Sequence, residues 1–172
     1  MNGIAIPKMA NKNNFWNLSA AFDHYRPEKF VVLGDMVHSS QNHEWHDLDD
    51  FLQGYPAIQR TLVRGNHEIE NDLVYRNLGF EVLPSIASGS FLFCHDPVEE
   101  HQSRAYRICG HIHPAISLFG HGRQHLKVPC YWQSEAALVL PAFGTFTGTH
   151  VIKPKKTDRV FAVTEKEIIE VK

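Results

Sequence analysis

The sequence predicts a mixed α/β fold, with two packed sheets and helices outside them, on three observations. Helix-period apolar stripes alternate with short apolar strands as far as residue 109. Beyond residue 115 the pattern changes to strands separated by Gly, Pro or charged turns. Four of the earlier strands end in Asp, Asn or His, as strands feeding a shared site would. Two sheets packed face to face accommodate both halves of the chain.

Phe15, Leu18, Phe22 and Tyr25 fall on one helical face and predict a helix over 13–25, ended by Pro27. A strand follows at 29–33 (KFVVL). Trp45, Leu48, Phe51 and Leu52 share a face and predict a helix over 43–53. Strands are expected at 61–63, 90–94 and 106–109, with a helix at 70–78 between the first two. The later strands are expected at 115–119, 124–132, 136–140, 149–152, 159–163 and 167–171. Trp16, Trp45 and the helically spaced Phe residues are assigned to the core. At 172 residues the chain is long enough for one domain, spanning 1–172, with one sizeable core.

Composition excludes several classes. The apolar fraction of 43% and charged fraction of 21% are ordinary for a globular protein. A net charge of −2 argues against a surface wholly given to nonspecific nucleic-acid binding, while leaving room for a local basic groove. No apolar run has the length of a membrane span or a signal peptide, so no membrane partner and a cytoplasmic location are expected. Cys94, Cys109 and Cys130 form no CxxC, and the positions of Cys94 and Cys109 in strands suggest buried packing in a reducing compartment.

The chemistry lies at four strand ends: Gly34-Asp35, Gly65-Asn66-His67-Glu68, Cys94-His95 and Gly110-His111-Ile112-His113. The strands leading to them are expected in one sheet, with their carboxyl ends meeting at one place. A carboxylate can bridge two cations, asparagine offers a neutral carbonyl oxygen, and imidazole suits manganese, iron, nickel or zinc better than calcium. Two such cations about 3.5–4 Å apart can polarise a phosphoryl oxygen and activate water.

The ordered set GD…GNH[DE]…H…GHxH resembles the calcineurin-like metallophosphoesterase superfamily. The resemblance implies a four-layer α/β/β/α sandwich and a phosphoric ester hydrolase with two divalent metal ions, Mn²⁺ first among them and Zn²⁺, Fe²⁺ or Ni²⁺ as alternatives. It implies Asp35 as the bridging ligand, Asn66, His95 and His111 as the remaining ligands of one metal, and His113 as a ligand of the second. His67 would contact the phosphate and assist the leaving group, and Glu68, where Asp is more usual, would orient His67. His38, close to Asp35 in sequence, is a candidate for substrate contact. The stretches GDMVHS (34–39), GHIHPAI (110–116), GRQHLKVPCYW (122–132) and LPAFGTFTG (140–148) are similar to the ligase-associated DNA damage response endonucleases, the PdeM-like group. That similarity implies DNA as the phosphodiester substrate, and an ATP-dependent DNA ligase and a DEXH helicase as partners.

One departure from the pattern matters. In these relatives a D-x-H strand precedes the GD motif, and no D-x-H precedes Asp35 in this sequence. Asp23-His24 lacks the spacing and falls on a predicted helix. The expectation is an N-terminally truncated domain lacking its first strand, with a weakened second metal position and little diesterase activity. Rival readings are a phosphodiesterase or phosphatase for small substrates, and a noncatalytic module of a repair complex. Protein phosphatases are disfavoured because the arginine of their GDxVDRG motif is absent. Among other features, Lys153, Lys155, Lys156 and Arg159 read first as a solvated turn and second as a DNA contact. Trp132 reads first as core and second as a base-stacking platform.

Overall fold

The computed structural model describes residues 8–36, 43–66, 71–98, 104–119, 125–144 and 147–172. Helices alternate with strands in the first half: α1 (Lys8–Tyr25), β1 (Lys29–Leu33), α2 (His43–Gln53), β2 (Gln59–Val63), α3 (Asp72–Asn77) and β3 (Phe80–Leu83). The three strands form a parallel sheet in the order β1-β2-β3, and α2 and α3 lie on the crossovers that parallel pairing requires. Leu33 pairs with Val63, and Val63 with Leu83, so these strands end level with one another.

Pro27 sets the end of α1, as expected. Arg26 turns out of the helix with φ 46° while its N–H still bonds the Phe22 carbonyl at 2.8 Å. Phe15 stacks on Phe51 of α2 at 5.1 Å, and Phe22 meets Phe30 of β1 at 5.2 Å edge-on. Trp45, Leu52, Leu62, Tyr75 and Phe80 form the buried cluster between the helices and this sheet. One expected core member lies outside it, for Trp16 is 75% exposed, and Tyr25, at the end of the apolar stripe, is 76% exposed. Trp16 follows Phe15 and so stands roughly 100° further round the helix, away from the face Phe15 turns to α2. Arg60, within β2, donates to the carbonyls of Leu52, Tyr55 and Leu78 at 2.5, 3.0 and 3.2 Å. A cation thus satisfies carbonyls at the ends of both crossover helices.

The second sheet runs β10-β7-β8-β9-β6-β5-β4, with β11 paired to β8 and to β12. Its strands are β4 (Ile86–Ser88), β5 (Phe91–Phe93), β6 (Tyr106–Cys109), β7 (Pro114–Phe119), β8 (His125–Gln133), β9 (Ala137–Val139), β10 (His150–Val151), β11 (Arg159–Val163) and β12 (Ile168–Glu170). Cys94, Cys109, Ala137 and Val139 form one of its buried clusters, and Cys130, Ile152 and Val160 another, with Trp132 and Ile112 packed against both. The mixed α/β architecture with two sheets therefore matches the expectation.

The four ligand-bearing strands do not share one sheet. They divide two and two, β1 and β2 in the first sheet, β5 and β6 in the second. β3, which the sequence reading did not identify, takes the free edge of β2, while both edges of β5 are already filled by β4 and β6. No helix among the described residues is long and apolar enough to cross a membrane.

Candidate metal centre

The carboxyl ends of the two strand pairs nonetheless meet. Gly110 follows β6 with its Cα so close to β1 that an added Cβ would lie 3.2 Å from the Leu33 carbonyl oxygen. Across this junction Asp35 and Asn66 come from the first sheet, and His95 and His111 from the second. His95 Nε2 lies 3.2 Å from Asn66 Oδ1, 3.1 Å from His111 Nδ1 and 3.4 Å from Asp35 Oδ2. Ligand atoms of Asp35, His95 and His111 all fall within 4.8 Å of one another. The His95 and Asp35 side chains are almost wholly buried, at 3% and 7% exposure.

The hydrogen bonds fix what these atoms can do. His95 Nδ1 donates to the Leu33 carbonyl at 2.8 Å, because a carbonyl oxygen only accepts. In the neutral ring, Nε2 then carries a bare lone pair. With that lone pair turned inward, the 3.1 Å bond between the rings is made by His111 Nδ1–H donating to His95 Nε2 in the neutral pair, while His111 Nε2 lies 3.9 Å from the Asp96 carboxylate, beyond hydrogen-bond reach. Two imidazoles, a carboxylate and an amide oxygen therefore converge, a donor set that fits a divalent transition metal in exchange for the His111 Nδ1 proton.

The backbone is strained at the same place. Four non-glycine residues have positive φ among the described residues, and three are candidate ligands: Asp35 (50°), His111 (62°) and His113 (51°). Each such residue costs about 1–2 kcal/mol, and such strain gathers where geometry serves a site. At His111 it takes the form of a γ-turn, with Ile112 N–H bonding the Gly110 carbonyl at 2.7 Å. Two glycines make the convergence possible. A Cβ on Gly34 (φ 77°) would sit 2.1 Å from His95 Nδ1, and one on Gly65 would sit 2.4 Å from Asp35 Oδ1.

His113 stands outside the Asp35–His95–His111 group. Its Nδ1 donates to the Gly148 carbonyl at 3.2 Å, and its own carbonyl accepts from His150 N–H at 2.9 Å. His67, Glu68 and His38 lie outside the described residues. Asp96 is a residue the sequence reading missed. Its carboxylate lies 3.9 Å from His111 Nε2 and is itself held by the Val98 N–H, which bonds its Oδ1 at 2.8 Å. Its position next to His95 in sequence was the available signal.

The cysteines behave as packing residues. All three are free and fully buried. The neighbouring Cys94 thiol and burial push the Cys109 thiol far up, and burial pushes Cys130 up to about 11. His46 is an exposed helix residue 3.6 Å from Asp50, one turn on. In the basic run, Arg159 is engaged by both oxygens of Glu170.

A donor cluster for divalent metal, set at the strand ends of a two-sheet α/β fold, defines a metal-dependent hydrolase. The family model of the calcineurin-like phosphoesterases matches residues 11–123, and the chain belongs to that family of phosphoric ester hydrolases. Among solved structures, the chain is similar to "Crystal structure of Pseudomonas putida nuclease MPE", at 24% identity and a TM-score of 0.81. The similarity covers 98% of this chain and 82% of that one. No curated protein matches by sequence.

Proposed function

We propose that the chain hydrolyses phosphodiesters, with DNA as substrate and Mn²⁺ as the preferred ion. The carrying observation is the convergence of side-chain donor atoms of Asp35, Asn66, His95 and His111 around one point between the sheets. The family membership supplies the reaction class, and the similarity to a nuclease favours DNA over small esters.

Asp35, Asn66, His95 and His111 would hold one ion, and Asp35 with His113 would hold a second. When bound, such ions polarise a phosphoryl oxygen and activate water for in-line attack. The chain's own groups do the rest. The Leu33 carbonyl keeps the His95 proton on the outer nitrogen, so that ring faces the site as a donor of an electron pair. His67 is assigned to the phosphate and the leaving group, Glu68 to orienting His67, and His38 to substrate contact. A repair setting, with a DNA ligase and a DEXH helicase as partners in the cytoplasm, extends the same reading.

The test is turnover of bis(p-nitrophenyl) phosphate with Mn²⁺. The 172-residue chain is compared with a form extended by an N-terminal strand carrying Asp-x-His, and p-nitrophenyl phosphate serves as the monoester control. The expected result is slow, chelator-sensitive diester cleavage that the extension accelerates a thousandfold or so, in line with several kcal/mol of added metal stabilisation at about 1.4 kcal/mol per tenfold. Cleavage of the monoester alone would replace DNA with a small-ester substrate. No cleavage of either ester by the extended form would refute the reading and favour a noncatalytic module.

A further inference from the structure

Beside the metal centre lies a cavity of about 500 Å³ lined by His111, Ile112, Trp132, His150, Ile152 and Lys153. We propose that it is a nucleoside subsite for a DNA strand, with Lys153 contacting the phosphate next to the scissile one. The proposal rests on the phosphodiesterase reading and names how that site grips its substrate.

Four observations support it. First, the cavity adjoins the metal centre, because His111 belongs to both: its ring joins the Asp35–His95 group and also lines the cavity. A group seated in the cavity would therefore lie one side chain away from the candidate metal ligands. Second, the lining chemistry suits a nucleoside. Ile112 and Trp132, both half-buried, offer apolar and aromatic surface for a base over the buried Ile152, and the volume falls within the roughly 300–1,000 Å³ of small-ligand sites. Third, the charge is one-sided. Lys153 and His150 are the exposed polar residues of the lining, and none of the six described residues lining it is acidic. The neighbouring cation Arg159 is committed to Glu170, whereas no ion pair holds Lys153 among the described residues.

Fourth, the wall is fastened rather than loose. The segment 148–152 is tied to the GHIH motif and β7 by three bonds: His113 Nδ1 to the Gly148 carbonyl at 3.2 Å, His150 N–H to the His113 carbonyl at 2.9 Å, and Ile152 N–H to the Ala115 carbonyl at 2.9 Å. Trp132 is fixed from behind, its Nε1–H donating to the buried Asp158 carboxylate at 3.0 Å. A preformed wall holds its cation and its ring at a set distance from the metal ligands, which lowers the ordering cost of binding.

The experiment measures binding of a fluorescein-labelled oligothymidylate to the full chain by anisotropy across a salt series, with tryptophan emission followed in parallel using unlabelled oligothymidylate. Lys153→Ala should weaken binding roughly three- to tenfold at low salt and lower the salt slope by about 0.7, the share of one phosphate on a single strand. Lys153→Arg should keep both at the wild-type level. Trp132→Phe, checked for folding by circular dichroism, should remove most of the emission change that the oligonucleotide causes. Equal affinity and slope in wild type and Lys153→Ala would overturn the proposal, as would an oligonucleotide that leaves the Trp132 emission unchanged or does not bind. Such a result together with diester turnover in the extended form would sink the subsite alone and leave the phosphodiesterase reading standing.

Discussion

Replacing Gly34 with alanine should damage stability and metal binding together, for reasons the geometry makes quantitative. Gly34 has φ 77°, where an L side chain costs about 1–2 kcal/mol. The new Cβ would also lie 2.1 Å from His95 Nδ1, 2.7 Å from His95 Cγ and 2.8 Å from the Gly65 Cα. Backbone closes off one side, so the His95 ring must move, and its 2.8 Å bond to the Leu33 carbonyl goes with it. A lost bond between buried partners costs about 1–3 kcal/mol. The expected total is about 2–5 kcal/mol. For a chain of 172 residues, at about 2–4 °C per kcal/mol, that is a fall of roughly 4–20 °C in Tm. Differential scanning calorimetry reads the first effect and Mn²⁺ titration the second, since the displaced ring withdraws Nε2 from Asn66 and His111. A Gly34→Ala protein with wild-type Tm and unchanged Mn²⁺ affinity would refute the packing argument and the role given to His95.

Two further predictions rest on different observations. Asp96→Asn keeps the size of the side chain but removes the carboxylate charge 3.9 Å from His111 Nε2, so Mn²⁺ affinity should fall by roughly tenfold with Tm little changed; an unchanged affinity would remove Asp96 from the account. All three thiols are buried, and Cys109, pushed far up, and Cys130, at about 11, stay protonated at pH 8, so alkylation should be negligible in the native state and complete on unfolding in guanidinium; mass spectrometry showing rapid native labelling would contradict their burial.

Most of the fold was legible because its signals are local. The apolar stripe of Trp45, Leu48, Phe51 and Leu52 gave α2 its bounds, and Pro27 closed α1. β3 and β4 escaped because, unlike the equally short strands at 61–63 and 106–109, neither leads into an Asp, Asn or His cluster that would mark its end. The division of β1, β2, β5 and β6 between two sheets was hidden for a different reason. An apolar run ending in a ligand looks the same in either sheet, and only the pairing of β3 with β2 and of β4 with β5 decides where the first sheet stops.

At the site, residue types identified Asp35, Asn66, His95 and His111, whose side chains the fold brings together. The proton positions were not legible, since they depend on the Leu33 carbonyl, 62 residues from His95 in sequence. The positive φ of Asp35, His111 and His113 carries no sequence signal either, because none of them is a glycine. Trp132 was read as core or as a stacking surface, and it combines a packed face with a place in the cavity wall.

The central claim is that side chains from the two sheets share one cation. Isothermal titration of the 172-residue chain with Mn²⁺ tests it most directly, alongside His95→Ala, His111→Ala and Lys153→Ala. The proposed set of Asp35, Asn66, His95 and His111 predicts a tight Mn²⁺ site in this chain. That site should be abolished in His95→Ala, sharply weakened in His111→Ala and retained in Lys153→Ala. Tight Mn²⁺ binding that survives His95→Ala unchanged would contradict the account.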